Sequence, residues 1–223
     1  MPQPLRLTQP LRLRWLRQKN LRTKSMTITA KEVAALRSKT GAGMMDCKKA
    51  LTEADGNEEK AIELLRQKGI EAAGKKAGRE TSEGRVHSYV HHNFKVGAMI
   101  KLSCETDFVS RGDEFAKLCN DICMHIATAD PMPVGVSVDD IPEALIEAER
   151  TVLLGSDDMA NKPDDIKEKI IDGRIKKFVS ERALLEQEFF LDPEMTVGEV
   201  IKASSGKLGE NMTLSDFVRL DLA

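Results

Sequence analysis

The sequence predicts an α+β protein in which a small N-terminal module of three helices precedes a core of antiparallel sheet with packed helices. Apolar residues recur at helical spacing up to residue 71. From Arg85 the apolar period changes from that of a helix to that of a strand, over two short runs separated by a turn. Further helical segments precede a last alternating run, and this order of elements is typical of an antiparallel sheet covered by helices.

The N-terminal module is predicted over residues 26–71. Thr29, with Glu32 three positions later, is the pattern of a capping box that opens the first helix, and a pair of glycines ends it. A second helix is expected over residues 44–54. A third is expected to end at Gly69, because glycine is common just past the C-terminus of helices. Three short helices bury little apolar surface, so we interpret this segment as a binding module.

Residues 72–84 are small, charged and rich in glycine, and we interpret them as a linker to a core over residues 85–223. The core opens with a β-hairpin whose second strand alternates apolar and polar residues from Val96 to Cys104. The elements predicted after it are helices over 113–127, 142–154 and 164–180, a strand over 184–191, a short helix over 197–203 and a closing strand over 212–222.

Length and composition exclude several classes of protein. The 223 residues suffice for one or two domains with a buried core, and 41% hydrophobic with 31% charged residues is typical of a globular chain. No apolar run approaches the roughly 18 to 20 residues of a membrane span, so no membrane association is expected. Four cysteines without the paired spacing of a secreted scaffold exclude a disulfide framework and favour the cytoplasm.

Charge is distributed unevenly along the chain. Seven Lys and Arg residues and no acidic residue lie in residues 1–25, which leaves 27 basic and 36 acidic residues, a net charge near −9, for the rest. An acidic body disfavours nucleic acid as a partner, because neutralisation of phosphates supplies most of that affinity. Aromatic residues are only 4% of the chain, which disfavours base stacking. Protein partners fit this composition better.

Residues 1–25 are predicted to lie outside the fold, and three interpretations remain open. In the first, translation starts at Met26 and the upstream residues are a mis-assigned start or a disordered tail. In the second, the arginine-rich, acid-free segment is an organelle transit peptide, and the protein is organellar rather than cytoplasmic. In the third, the basic tail binds acidic partners. All three leave the predicted fold unchanged.

Thiol and metal chemistry finds little support in the sequence. Cys119 and Cys123 lie one helical turn apart with His125 nearby, but they flank an apolar stripe, where free cysteine behaves as a small buried hydrophobe. A structural zinc site needs four ligands. His91 and His92 are adjacent at a strand end and are expected to point to opposite faces. We therefore predict no enzyme, metal or cofactor, and keep a thiol- or metal-dependent enzyme as an alternative.

Two segments carry apolar residues where partner binding is a reasonable hypothesis. Met44 and Met45 are adjacent on a helix, so if one is in the core the other is at least partly exposed; alternatively both are partly buried. The segment Thr106–Val109 follows the second strand as a loop. Its Phe108 either packs beneath the next helix or presents an apolar side chain to another protein.

Four separated segments carry a resemblance to a known family. They are TGAGMMDCKKAL (Thr40–Leu51), Glu105–Val109, DGRIKKF (Asp172–Phe178) and KLGEN (Lys207–Asn211). The chain resembles bacterial-type elongation factor Ts over about residues 28–222. The resemblance implies a ubiquitin-associated-like three-helix domain, a core of antiparallel sheet and helices, and guanine-nucleotide exchange on elongation factor Tu, in its GDP-bound and nucleotide-free forms.

The resemblance also implies the site residues. The N-terminal module would bind the GTPase domain of elongation factor Tu through Arg37, Met44, Met45 and Lys48. The segment Thr106, Asp107, Phe108 and Val109 would displace magnesium from the partner, with Asp107 and Phe108 as the active pair, and Leu208 and Gly209 would also contact the partner. A single, dimerisation-type core module implies a homodimer. The alternative is a non-catalytic adaptor that binds through its three helices and is indifferent to changes at Asp107 and Phe108.

Overall fold

The computed structural model describes residues 28–156 and 163–222, so the basic segment 1–25 and Met26 lie outside the described residues. In chain order the elements are α1 Ala30–Thr40, α2 Met44–Glu53, α3 Glu58–Gly74, β1 Glu83–Val90, β2 Val96–Cys104, α4 Asp107–Ser110, α5 Asp113–Thr128, α6 Glu143–Leu154, α7 Asp164–Arg182, β3 Glu188–Phe189, β4 Asp192–Thr196, α8 Val197–Leu208 and β5 Met212–Asp221. Helices and antiparallel strands in this order confirm the α+β class. The chain divides into two compact units, the first ending at Leu64 and the second beginning at Leu65, within α3.

The first unit begins with the capping box expected from the sequence. The Thr29 hydroxyl accepts a hydrogen bond from the Glu32 amide at 3.3 Å, and the Glu32 carboxylate accepts one from the Thr29 amide at 2.7 Å. Gly41 ends α1 in the left-handed region, with φ 66°, and its N–H donates to the Arg37 carbonyl. The buried apolar residues of this unit are few: Val33, Leu36, Cys47, Ala50, Leu51, Ala54 and Ala61.

The prediction that Gly69 ends the third helix is wrong, because α3 continues to Gly74. Within the second unit, a Cβ added at Gly206 of α8 would lie 2.7 Å from Gly69 Cα and closer still to the Gly69 carbonyl oxygen. The two glycines therefore let two helix backbones touch. Glycine costs a helix only about 1 kcal/mol relative to alanine, which packing of this kind can offset. The predicted linker holds the end of α3, a series of turns and the start of β1.

The second unit is built on a three-stranded antiparallel sheet in the order β1-β2-β5. Ile100, at the centre of β2, pairs with His87 on one side and Phe217 on the other. One face of the sheet carries the main core, formed by alternate residues of β2 and the apolar stripe of α5. The largest fully buried side chains of this core include Ile100, Leu102, Phe115, Ile122, Ile126 and Leu184.

Two predicted elements differ from the structure. The strand expected over 184–191 is instead a short 3-10 turn, Leu184–Glu186, followed by β3, which pairs with β4 in a separate ribbon. The buried Gln187 side chain directs the chain here, since its amide donates to the carbonyls of Pro131 and Glu181. The short helix expected over 197–203 extends to Leu208, where Gly209 ends it with φ 85°.

Candidate functional site

The N-terminal surface consists of Arg37, Met44, Met45 and Lys48, and all four side chains are exposed. Met44 is 46% exposed and Met45 63% exposed, because α2 directs Cys47 and the residues one turn further along toward the interior instead. The hypothesis that one of the two methionines is in the core is therefore wrong. The alternative that both are partly buried agrees with these values, since part of each side chain is covered although both are exposed.

The Phe108 turn, residues 106–110, is a single helical turn rather than the loop expected from the sequence. Thr106 is extended and its hydroxyl accepts from the Val109 amide at 3.5 Å, while the Ser110 hydroxyl donates to the Asp107 carbonyl at 3.0 Å. Val109 and Ser110 are buried. Of the four predicted residues of this segment, Val109 thus points into the core and acts as an anchor for the turn.

Phe108 is 84% exposed at the tip of this turn. The alternative that it packs beneath the following helix is wrong, because its side chain is exposed, whereas Phe115 at the start of α5 is fully buried. Asp107 and Arg111 form an exposed ion pair of 3.3 Å beside it. A large apolar side chain therefore projects into solvent from a turn whose last two residues, Val109 and Ser110, are buried.

The turn after α8 brings Leu208 and Gly209 next to the start of the Phe108 turn. Gly209 is exposed and its N–H donates to the Ser205 carbonyl, whereas Leu208 packs partly against the main core. The next residue, Glu210, accepts hydrogen bonds from the Thr106 amide at 3.0 Å and the Thr106 hydroxyl at 2.5 Å. Two segments that the sequence analysis singled out separately are thereby joined.

Sequence reasoning missed the carboxylates that join them. Glu210 also accepts from the Glu105 amide at 3.2 Å, and the Glu105 carboxylate in turn accepts from the Asn211 amide at 2.6 Å. Asn211 donates through its side-chain amide to the Arg79 carbonyl, and Arg79 lies 3.5 Å from the Glu105 carboxylate. Both glutamates lie inside segments that carry the family resemblance, Glu105–Val109 and Lys207–Asn211, which was the one indication in the sequence. Nothing in the sequence indicates that residues so far apart along the chain are hydrogen-bonded to each other.

The outer sheet face is the side of the three-stranded sheet opposite the main core. Five of its apolar side chains are exposed: Val86, Val90, Met99, Val218 and Leu220. The register places Met99 opposite Val218, and Gly97 opposite both Val90 and Leu220, so four of these residues lie in two adjacent rows of the sheet, while Val86 lies opposite Lys101. A solvent-facing side of an antiparallel sheet is normally polar, and an apolar patch of this kind marks an interaction surface.

The four cysteines are all buried, which confirms the interpretation of Cys119 and Cys123 as core residues. Burial raises the pKa of each of these two thiols to about 12, so neither holds the thiolate that nucleophilic or metal chemistry needs. Burial, and secondarily the charge of Glu210, also raises the pKa of the Cys104 thiol. Over residues 28–156 and 163–222, no group of three or more potential metal-binding side chains occurs.

The contacts of three histidines, His91, His92 and His125, are with side chains and backbone of this chain. His91 and His92 do not point to opposite faces as predicted: their ring centroids are 4.1 Å apart, because β1 ends at Val90 and both residues lie beyond it. His125 is buried, its Nδ1 accepting from the Phe190 amide at 3.4 Å and its Nε2 lying 3.1 Å from Gln187 Oε1. Burial lowers the pKa of His125, although the hydrogen bond to Gln187 opposes that shift.

Three of these features are typical of proteins that bind other proteins: an exposed aromatic side chain on an anchored turn, an exposed pair of methionines and an apolar sheet face. No helix in the described part of the chain is long and apolar enough to cross a membrane. The family model described as Elongation factor TS matches residues 21–223. The chain belongs to the elongation factor Ts family, and its role is in translation elongation.

Individual relatives support the same assignment. The chain is 52% identical over 195 residues to the elongation factor Ts of Gloeothece citriformis, which covers 87% of this chain and 68% of that protein. It is 50% identical to the elongation factor Ts of Prochlorococcus marinus and of a Synechocystis species. Each of these two alignments covers 87% of this chain and 89% of the relative.

Proposed function

We propose that this chain is a guanine-nucleotide exchange factor for elongation factor Tu, which binds the GDP-bound form, promotes GDP release and leaves the nucleotide-free form ready for GTP. The observation that carries the proposal is Phe108, a large apolar side chain that is 84% exposed on a turn whose next two residues, Val109 and Ser110, are buried. Such a side chain is expected to contact a partner, because its exposure gives the free protein no stability.

The proposed mechanism requires no covalent chemistry and no cofactor of this chain. An exchange factor that binds the nucleotide-free partner more tightly than the nucleotide-bound one weakens nucleotide affinity by the same factor. GDP is held largely through its phosphates and a magnesium ion that belongs to the partner, so loss of the ion's supports leaves phosphate charge poorly compensated. Phe108 inserts into an apolar pocket beside these supports, and Asp107 orients the turn.

Magnitudes indicate that Phe108 cannot act alone. Weakening nucleotide binding by about 10³ to 10⁴ requires roughly 4 to 5.5 kcal/mol. Burial of one Phe contributes only about 1.5 to 3 kcal/mol. Other contacts must therefore supply binding energy that holds Phe108 against the nucleotide-bound partner. We assign this role to the N-terminal surface, on a module that we interpret as ubiquitin-associated-like, and to the turn at Leu208 and Gly209.

We also propose a homodimer formed through the outer sheet face. The five exposed apolar residues of that face favour a second copy as the occupant, because two identical faces can pack isologously as a sandwich of two sheets. Sedimentation velocity of the full chain is expected to give a dimer, and Val218→Lys to give a monomer. Val152→Lys changes an exposed valine of α6 instead and is expected to leave the dimer intact. A monomeric wild-type protein would refute this proposal.

Release of a fluorescent GDP analogue from elongation factor Tu tests the exchange proposal directly. The 223-residue chain is expected to accelerate release saturably, and excess magnesium is expected to oppose the acceleration. Tight binding without acceleration would overturn the proposal in favour of a non-catalytic adaptor. Such a protein would be a cytoplasmic binding component of translation elongation with no exchange activity.

A further inference from the structure

We propose that Glu210 is a positioning residue for nucleotide exchange, which holds the Phe108 turn in its presenting conformation and couples it to the turn at Leu208 and Gly209. The inference rests on the proposed exchange function and adds a residue that is hydrogen-bonded to Glu105 and Thr106, at the start of the Phe108 turn. It is carried by three hydrogen bonds that converge on one carboxylate.

The Phe108 turn is too short to hold its conformation on its own. It is one turn long, Asp107–Ser110, and an isolated turn fixes several backbone angles for very few hydrogen bonds. Its own N-cap bond, from the Val109 amide to the Thr106 hydroxyl, is long at 3.5 Å. The turn therefore depends on contacts from outside residues 106–110.

Glu210 supplies those contacts at the N-terminal end of the turn. Its Oε2 accepts from the amides of Glu105 and Thr106 at 3.2 and 3.0 Å, and its Oε1 accepts from the Thr106 hydroxyl at 2.5 Å. Hydrogen bonds to an ionised acceptor are stronger than neutral ones. They also fix the rotation of the Thr106 hydroxyl, so that its lone pairs face the amide it caps.

A reciprocal contact makes the connection resistant to rotation. Glu105 accepts from the Asn211 amide at 2.6 Å, so each of two neighbouring segments donates backbone amides to a carboxylate of the other. The end of β2 and the end of α8 are thereby fixed to each other at two points. A partner that contacts Leu208 and Gly209 in the complex therefore also restrains the position of the turn that carries Phe108.

The same bonds could serve stability alone, and α8 offers a matched control. At its N-terminus Glu199 accepts from the Thr196 amide at 3.0 Å, while the Thr196 hydroxyl accepts from the Glu199 amide at 3.2 Å. Glu199→Ala removes a carboxylate that accepts a backbone amide on the same helix but is not bonded to Thr106. A loss that both variants share is structural, whereas a loss specific to Glu210 is positional.

The experiment measures GDP-analogue release from elongation factor Tu over a concentration series of wild type, Glu210→Ala, Glu210→Gln and Glu199→Ala, below the unfolding midpoint of each. Glu210→Ala is expected to lower the maximal rate by on the order of tenfold, because only the fraction of complexes with an ordered turn is competent. Its half-saturating concentration should change less than about twofold, and Glu210→Gln, which keeps one acceptor oxygen, should recover part of the rate. Glu199→Ala should match wild type.

A second series tests whether Glu210 acts through Phe108. In a Phe108→Ala background, Glu210→Ala is expected to cause no further loss of the maximal rate, since coupled residues are non-additive. Wild-type maximal rate in Glu210→Ala, equal losses in Glu210→Ala and Glu199→Ala, or fully additive losses with Phe108→Ala would each overturn the inference.

Amide hydrogen exchange of the free proteins separates this inference from the proposed function. Glu210→Ala is expected to lose protection at the amides of Glu105 and Thr106, while Glu199→Ala keeps it. If wild type fails to accelerate GDP release, the exchange function is wrong, and the protection pattern still decides whether Glu210 orders the turn. Unchanged protection at both amides in Glu210→Ala would refute the positioning role itself.

Discussion

Truncation of Phe108 to alanine is expected to separate the maximal rate of GDP release from the affinity for the partner. The side chain is 84% exposed in the free protein, so nearly all of its apolar surface is available for burial against a partner. Complete burial of a phenylalanine contributes about 1.5 to 3 kcal/mol. If this energy is used against bound nucleotide, Phe108→Ala lowers the maximal rate of GDP release by about 10- to 150-fold.

The same truncation is expected to leave the free protein intact. Because Phe108 makes little contact with its own chain, the free energy of unfolding should change by less than about 0.5 kcal/mol. Phe94→Ala is the matched control, since Phe94 is 81% exposed at the tip of the hairpin and is not part of the proposed site. Its maximal rate and half-saturating concentration should equal those of wild type.

The assay is a titration of release rate against variant concentration, which yields both a maximal rate and a half-saturating concentration. Phe108→Ala is expected to stay slow at saturation, with only a modest shift of its half-saturating concentration, because the anchoring surfaces remain. A Phe108→Ala variant that reached the wild-type rate at high concentration would refute the reasoning, because Phe108 would then contribute only to binding.

Three further predictions concern the other surfaces and the core. Met45→Ala should raise the half-saturating concentration for exchange about three- to tenfold, because apolar contact with the partner is lost. A variant whose half-saturating concentration equals that of wild type would contradict the role of the N-terminal surface in binding. Burial lowers the pKa of His125, so folding favours its neutral form, and the stability that this supplies is present above about pH 6.5 and is lost as pH falls. Urea unfolding at a series of pH values should show the free energy of unfolding fall below that pH. An NMR titration of His125 with a midpoint above the ordinary histidine pKa would contradict this prediction. Gly206→Ala should lower the free energy of unfolding by about 1 to 3 kcal/mol because its Cβ meets the Gly69 backbone, whereas Gly173→Ala, in open space on α7, should raise it by about 0.5 to 1 kcal/mol.

Local chemistry explains which parts of the fold could be predicted. The Thr29–Glu32 capping box and the alternation of β2 each depend on residues a few positions apart, and both are present as expected. Gly69 was misassigned as a helix end because its packing partner, Gly206, is remote in sequence. A single residue offers no sign that a helix elsewhere will approach it closely enough to require glycine.

The candidate site shows the same division between local and remote information. The segment around Phe108 could be singled out because it places an aromatic residue directly after an acidic one, but the exposure of that residue depends on how the turn packs against the rest of the fold. The bonds between Glu210 and Thr106 were beyond the sequence, since carboxylates are frequent and nothing local distinguishes one that accepts from a remote backbone. Residues that present a side chain to a partner were thus easier to identify than those that support it.

The rigidity of the Phe108 turn matters as much as the exposure of its tip. A side chain on a flexible segment would retreat when it met the nucleotide-bound partner, and its burial energy would be spent on ordering the segment itself. Here Val109 is buried beneath the turn, and the Cys104 thiol donates to the Thr106 carbonyl at 3.2 Å from within the core. Displacement of Phe108 would therefore disturb core contacts as well as the bonds to Glu210. A support of this kind lets most of the binding energy act on the partner, which is the condition under which one inserted side chain can weaken the binding of a nucleotide it does not touch.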